Sequence, residues 1–408
     1  MKKADIIVVG GGLAGLTMTA LLARAGADVL CIDRESPDAM MGEEFDGRTT
    51  AISYGSRKVL EAAGIWKHIE RNACPIETIQ ILDGGSPVLL EFGSQEVGGK
   101  IFGWIIENRL LRRALYESVT ALKSARHIAP AAVTDFAVDE KSACAMLADR
   151  LAHEAKLIIG ADGRGSFTRE WMGIGARAWS YRQRAIVCTA IHDSPHNKVA
   201  IENFRPEGPF AILPMTDDGQ GRHRSSIVWT EHRAEKRSAI RYGQQEFDAA
   251  LTARFPNSYG SVRQTGKRFS YPLSLIHAHN YTGPRMALVA EAAHGIHPIA
   301  GQGLNMGLRD IAALAELVAE ALAQKEDPGS PALLARYQRM RRADNMAMAG
   351  ATDTLNKLFS NDIAPVRLTR RAGLKLVSRL PLAKQFFMKQ AMGAAGMLPA
   401  MIRERDAA

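Results

Sequence analysis

The chain has 408 residues, 46% of them hydrophobic and 23% charged, an ordinary globular composition long enough for more than one core. Its four cysteines, Cys31, Cys74, Cys144 and Cys188, lie too far apart for a zinc knuckle or a redox dithiol, and no run of about 18 apolar residues passes without a charge or a break, which excludes an ordinary transmembrane helix. The net charge of +9 concentrates at one end: residues 367–408 hold nine basic and two acidic side chains, so the rest is nearly neutral and does not read as a nucleic-acid-binding body.

Met1-Lys2-Lys3 runs directly into a strand that carries its own motif, unlike a cleavable signal or transit peptide, and with the cysteine spacing this points to a reducing cytosol. From Ala4 to Asp33 the pattern predicts strand (Asp5 to Val9), glycine turn, helix (Leu13 to Arg24) and strand (Val29 to Ile32), a compact βαβ unit. A helix starts at Ser53 as N-cap and ends at Gly64, Arg109 to Leu122 has helical spacing, and Leu157 to Gly160 is a short strand entering a turn. Between about 181 and 275 strand-length runs divided by Gly, Pro and Asp predict a largely antiparallel sheet. A buried strand over Met286 to Ala290, a glycine-rich loop and a long helix from about Asn305 to Gln324 follow; Glu326 to Pro331 is a linker, and helical spacing resumes beyond it.

Three motifs carry chemistry. In Val9-Gly-Gly-Gly-Leu-Ala-Gly15, Gly10 permits a tight turn, Gly12 leaves room for a pyrophosphate, and Gly15 lets the helix pack closely, while Asp33 ends the second strand where a ribose would be held. The helix N-terminus faces the phosphates with its free N–H groups. Ile159-Gly-Ala-Asp-Gly-Arg-Gly-Ser166 with Arg169 is a strand ending in a turn, with the Asp162 carboxylate and a hydroxyl placed to hold a second stretch of nucleotide. The third is His297-Pro-Ile-Ala-Gly-Gln-Gly-Leu-Asn-Met-Gly-Leu-Arg-Asp310, preceded by Ala290-Glu-Ala-Ala-His294. Gly301 and Gly303 let backbone approach a planar ring, and Asn305 begins a helix whose N-terminus stabilises negative charge.

The second motif resembles the second fingerprint of FAD-dependent aromatic hydroxylases. The third resembles the hallmark of the ubiquinone-biosynthesis hydroxylase family of FAD monooxygenases, and the resemblance extends over nearly the whole chain. Asn108-Arg109-Leu110-Leu111 and Asp46-Gly47-Arg48 resemble segments whose arginines lie at the FAD, and Gly208 to Pro214, Val228-Trp229-Thr230 and Tyr271-Pro272-Leu273 resemble substrate-domain strands. Leu358 to Asn361 and Leu380-Pro381 resemble the family's C-terminal region. The wider class has Gly-Asp-Ala-Ala-His where this chain has Ala290-Glu291; the Glu291 carboxylate is expected on the ribityl hydroxyls, one methylene longer than Asp.

The resemblance implies an α/β fold of the para-hydroxybenzoate hydroxylase type: a Rossmann-like, discontinuous FAD-binding domain (1–75, 100–180, 276–345), an interleaved antiparallel-sheet substrate domain (76–99, 181–275) and a helical, basic C-terminal segment (346–408). It implies FAD with a transient NAD(P)H or other electron donor, molecular oxygen, and hydroxylation of a polyprenylated phenol through a flavin C4a-hydroperoxide. FAD contacts are expected from Gly10, Gly12, Gly15, Asp33, Arg48, Arg109, Asp162, Glu291, Gly303 and Asn305, with Pro298 and Gly301 beside the reacting ring. No side chain stands out as acid or base. A soluble phenolic hydroxylase, an isoprenoid-reducing flavoprotein and a catalytically idle flavin-bound scaffold of a biosynthetic assembly remain open.

No metal site is expected: His277 and His279 share a strand face but have no carboxylate or cysteine at ligand spacing. His294 and His297 read as structural hydrogen-bonding residues flanking the flavin loop. The C-terminal charge is interleaved with Leu374, Leu376, Phe386, Phe387, Met388, Met392, Met397 and Leu398, a mixture suited to an interfacial helix on an anionic membrane surface. The location expected is therefore cytoplasmic, peripheral on the inner face of the membrane, with a ubiquinone-biosynthesis complex as a candidate partner.

Overall fold

A computed structural model describes residues 2–42, 47–232, 238–361, 363–396 and 398–403. Asp46, Met397 and residues 404–408, which figure in the expectations above, lie outside them. Among the described residues one half is built on a six-stranded sheet in the spatial order Thr282–Gly283, Met286–Leu288, Leu157–Gly160, Ile6–Val9, Val29–Ile32, Ala125–Ile128, parallel throughout except at the Thr282–Gly283 edge. The central strands Ile6–Val9, Val29–Ile32 and Leu157–Gly160 are wholly buried, as continuous aliphatic runs require when both sheet faces are covered. Alternation decides which layer each side chain meets. Ile6 and Val8 pack on the helix layer that includes Leu13–Arg24, Asn108–Thr120 and Gln302–Ala323, while Ile7 and Val9 pack on a small sheet of the strands Val133–Val138, Ala143–Leu147 and Ala152–Ala155. No such sheet is expected from the sequence, because its strands are only four to six residues long.

The largely antiparallel sheet expected between 181 and 275 is present and longer at both ends, with Val199–Arg205 and Thr78–Asp83 paired parallel. Its eight strands run in the order His294–Gly295, Val262–Ala278, Ala176–His192, His223–His232, Gly208–Met215, Val199–Arg205, Thr78–Asp83, Leu90–Gly93 among the described residues. Ala176–His192 and Val262–Ala278 are 17 residues each and pair antiparallel. One face packs under the helix Gln244–Thr252, through Ile201, Phe210, Ile212 and Trp229. The other turns toward the loop before Gln302–Ala323, so Ala200, Glu202, Ala211 and Leu213 look into the space between the two halves.

Ser330 caps the long helix Pro331–Phe359 by accepting from the Leu333 N–H, with proline at its first position. The Tyr337 hydroxyl then donates to the Leu288 carbonyl at 2.8 Å and ties that helix to the parallel sheet. Two further helices, Ala364–Arg379 and Pro381–Ala391, are split at Leu380, because the residue before a proline is pushed out of helical conformation. They are fixed to the eight-stranded sheet and its margin by a clamp: the buried Arg370 and the partly exposed Arg371 each donate at 2.6 Å to one oxygen of the buried Asp83, and Lys384 pairs with Glu96 at 2.6 Å. The single interfacial helix expected there is thus two helices with divided loyalties. Leu374, Met388, Met392 and Leu398 pack inward, while Leu376, Phe386 and Phe387 stay exposed, and three of the basic residues are spent on internal ion pairs. Among the described residues no helix is long and apolar enough to cross a membrane.

Candidate active site

The glycine turn has the geometry its spacing demands. Gly10 takes φ +103°, and a Cβ there would lie 2.6 Å from the Ala161 carbonyl oxygen; a Cβ on Gly15 would overlap the Gly10 carbonyl. Gly15 therefore lets the helix close on its own turn, a nearer obstacle than the sheet. Gly12 caps Leu13–Arg24 without any side-chain hydrogen bond, and nothing stands within 4 Å of where its Cβ would be. An uncapped helix N-terminus facing open space is a cradle for an anion. Asp33, buried at the end of its strand, accepts from the Glu35 N–H, and burial raises its carboxyl above the ordinary range. Two neighbours went unnoticed in sequence. A Cβ on Gly11 would meet Asp33 Oδ2 at 2.5 Å and His127 Nε2 at 3.0 Å, and that nitrogen has no hydrogen-bond partner among the described residues. No local signal marks His127, since only the strand pairing Val29–Ile32 with Ala125–Ile128 brings it to the turn.

The Asp162 carboxylate is already engaged. It accepts from the Ser166 hydroxyl at 2.5 Å and from the N–H and hydroxyl of Thr168, so it organises the helix Phe167–Trp171. Arg164 and Arg169 extend this brace to the next motif: Arg169 donates to the Ala292 carbonyl at 2.8 Å, and Arg164 donates to Ser274 and, at 2.9 Å, to Glu291. Glu291 is 54% exposed on its side chain, able to face a ligand while Arg164 orients it. Loss of a hydrogen bond to a charged group costs roughly 1.5–3 kcal/mol, so Glu291→Ala should weaken FAD binding about tenfold to a hundredfold and Glu291→Asp less. Equal affinity in the three proteins, measured by flavin fluorescence, removes Glu291 from the site.

In the third motif the helix begins at Gln302, three residues before the expected start, because Gly301 at φ +61° serves as its N-cap. Asn305 lies in the first turn with its amide fully used: it donates to the Ala51 and Gly301 carbonyls and accepts from the Ser53 N–H at 2.9 Å. It staples the helix start to the strand Thr49–Ser53. Gly303 has open space at its Cβ position, and Pro298 lines the adjoining cavity with Gly301. Arg48 is exposed, its carbonyl accepting the Asn108 N–H, while Arg109 is held by Glu107 at 2.7 Å. The structure thus brings Gly301 and Asn305 to one edge of a cavity, with Gly303 in the same first helical turn but not on the cavity wall, and Gly10, Gly12 and Asp33 to a separate turn.

Beneath the loop lies a fully buried ionic network. Asp310 accepts from His294 Nε2 at 2.5 Å, Arg341 Nε at 2.9 Å and Asn345 at 2.8 Å, and from the Ala290 N–H at 3.2 Å. Burial alone would raise the Asp310 carboxyl; His294, Arg341 and Asn345 outweigh it and hold it well below the usual carboxylate range. Ala290 itself adopts φ +53°, which disfavours any side chain. His294 has the structural role expected of it. His297 does not: it is fully buried, neither ring nitrogen has a partner among the described residues, and burial pushes it down to about 4, so it is neutral at physiological pH. His277 bonds the Tyr281 hydroxyl, and its strand ends at Ala278, so His279 does not share a strand face with it.

A cavity of about 180 Å³ lies between the antiparallel sheet and the Pro298–Asn305 loop. Its walls are mostly aliphatic, with Ala391 of the last helix closing one side; among the described residues Glu202 is its one charged lining residue and His297 its other titratable one. Two helix N-termini without side-chain caps and glycines with open Cβ positions match the pyrophosphate and flat ring system of FAD, and the apolar cavity adjoins the second of them.

Comparisons agree with that fit. A family model described as FAD binding domain matches residues 3–352. Ubiquinone hydroxylase UbiL of Rhodospirillum rubrum is 44% identical over 98% of this chain and 91% of its own length, and 3-demethoxyubiquinol 3-hydroxylase of Escherichia coli is 31% identical over 96% and 99%. Among solved structures, p-nitrophenol 4-monooxygenase PnpA from Pseudomonas putida superposes with a TM-score of 0.80 at 18% identity, covering 97% of this chain and 99% of that one, a likeness of fold. With its glycine turn, its loop-capped helix and matches of this extent, the chain belongs to the ubiquinone-hydroxylase family of FAD-dependent aromatic monooxygenases.

Proposed function

We propose that this protein hydroxylates the aromatic ring of a polyprenylated phenol in ubiquinone biosynthesis, working at an anionic membrane surface. The observation that carries the reading is the apolar cavity lying directly against the Gly301–Asn305 loop, where a ring can be held beside the cofactor. Gly10, Gly12 and Asp33 would hold the dinucleotide end of FAD, and Gly301, Gly303 and Asn305 would position backbone against the flavin. Bound there, FAD supplies the activation of molecular oxygen. The protein's share is to orient the ring with the sheet face, to exclude water with aliphatic walls, and to offer N–H groups of the Gln302–Ala323 helix to negative charge on the flavin. A nicotinamide donor would bind transiently, since the chain has one GxGxxG turn. Purified holoprotein should oxidise NADH or NADPH faster when a prenylated phenol is added and place isotopically labelled oxygen in the product. Reduced product without label identifies an isoprenoid reductase, and a bound flavin that never turns over identifies a scaffold.

The membrane part rests on the outward faces of the last two helices. Leu368 and Leu376, with Lys375 and Arg379, share one face of Ala364–Arg379; Leu382 and Phe386, with Lys389, share one face of Pro381–Ala391. Leu382 is 83% and Leu368 72% exposed, beside cations whose stems can reach up to lipid headgroups. Truncation before Arg367 would strip Met388, Met392 and Ala391 from the core and cavity, so surface substitutions give the cleaner test. Leu382→Glu with Phe386→Glu should abolish sedimentation with phosphatidylglycerol vesicles at low salt while leaving bound FAD unchanged. Unaltered vesicle binding discards the membrane reading.

A further inference from the structure

Glu202 is the anomaly of the cavity. The strand Val199–Arg205 sends Ile201 to the far face of the sheet and Ala200 and Glu202 to the cavity, where Glu202 sits in register with Ala211 and Ile81 on the two flanking strands. Among the described residues its carboxylate has neither an ion-pair nor a hydrogen-bond partner, and the residue is partly buried where it lines the cavity. The strands beside it, Gly208–Met215, His223–His232 and Thr78–Asp83, line the cavity with Leu213, Val228, Thr230 and Ile79. The opposite wall presents Ser53, Gln302, Asn305 and the neutral His297. No cation faces it from any of these elements. An unpaired acid in an apolar wall is costly to the fold, and such positions mark groups retained for their chemistry.

We propose that Glu202 is the general base that takes the proton of the substrate's ring hydroxyl, a role that rests on the hydroxylase reading above. In that step the substrate O–H bond breaks, its electron pair stays on the ring oxygen, and an O–H bond forms on a Glu202 carboxylate oxygen. One negative charge passes from the carboxylate to the phenolate, and no other reactant is needed. The phenolate is the more electron-rich ring and so the better partner for an electrophilic oxygen. Burial pushes the Glu202 carboxyl up to about 7, so acid and carboxylate coexist near neutrality, where a base does most. His297 is a poor alternative, because burial has taken away most of its basicity.

The test uses full-length holoenzyme, a short-chain prenylated phenol and labelled oxygen. Wild-type kcat/KM should fall on the acid side with an apparent pKa near 7. Glu202→Gln should lower kcat/KM by about a hundredfold or more and erase that limb. Glu202→Asp should keep the limb and recover part of the rate, and all three proteins should bind FAD equally. Independently of turnover, infrared difference spectra should show a protonated carboxylic C=O band that titrates near pH 7 in wild type and is missing from Glu202→Gln. A Glu202→Gln enzyme with wild-type kcat/KM and an intact acid limb overturns the role while leaving the hydroxylase reading in place. So does a Glu202 carboxyl that is already ionised at pH 5. Wild-type enzyme that puts no labelled oxygen into any phenol overturns both.

Discussion

Arg341→Met is expected to destabilise the protein by about 3–5 kcal/mol, because it leaves the Asp310 carboxylate buried without its arginine partner. Arg341 is fully buried, and its guanidinium is divided among Asp310, Asp344 and Asn345 at 2.9 Å each. Asp310 in turn holds His294 and the Ala290 N–H, the residues from which the Pro298–Asn305 loop departs, so the loss should weaken FAD binding as well. The pH dependence has a definite sign. A carboxyl held below its unfolded value of 3.8 contributes stability that is complete above about pH 4 and is lost as pH falls further. Weakening the network should move acid unfolding to higher pH. Urea denaturation monitored by far-ultraviolet circular dichroism measures both effects. The double variant Arg341→Met with Asp310→Asn should be less destabilised than the sum of its single changes. A single-variant loss below about 1 kcal/mol would show that the network is solvated and the argument wrong.

Gly12→Val should give a folded protein without colour. Open space around the Cβ position and an extended backbone with φ −70° mean that a Cβ meets no obstacle in the polypeptide; what the side chain occupies is the cradle at the uncapped helix. Affinity for FAD should drop by a thousandfold or more, about 4 kcal/mol, while the apoprotein melts close to wild-type apoprotein. Gly15→Ala is the contrasting control: its Cβ would overlap the Gly10 carbonyl, so it should fail as a fold. Normal flavin content in Gly12→Val would show that the pyrophosphate lies elsewhere.

The βαβ unit, the N-cap at Ser53 and the Gly301 loop could be read directly because each depends on contacts within a few tens of residues. The small sheet of 133–155 was illegible, its strands being only four to six residues long, too short for a clear alternation. The roles of Asp162 and Asn305 were half legible: the motif places the residues, and only the structure reveals that their side chains are spent on Thr168, Ala51 and Ser53. Glu202, His127 and Gly11 left no trace in sequence. A glutamate at one position of a strand reads as a solvent-facing residue until pairing across the sheet places it on the cavity side. The same limit applied to the C-terminal charges, whose destination depended on Asp83, almost 290 positions away.

The strand order of the parallel sheet also sets a timetable for synthesis. Ile6–Val9 lies between Val29–Ile32 and Leu157–Gly160, and the latter pairs on its other side with Met286–Leu288. At roughly 5–20 residues per second, about 15–60 s separate the appearance of the first strand from that of the last. Through that interval an aliphatic strand edge stands open on the ribosome, a template for mispairing that a holdase chaperone would have to cover. Free FAD cannot shorten the exposure, for the loop that would grip its ring emerges after Met286–Leu288.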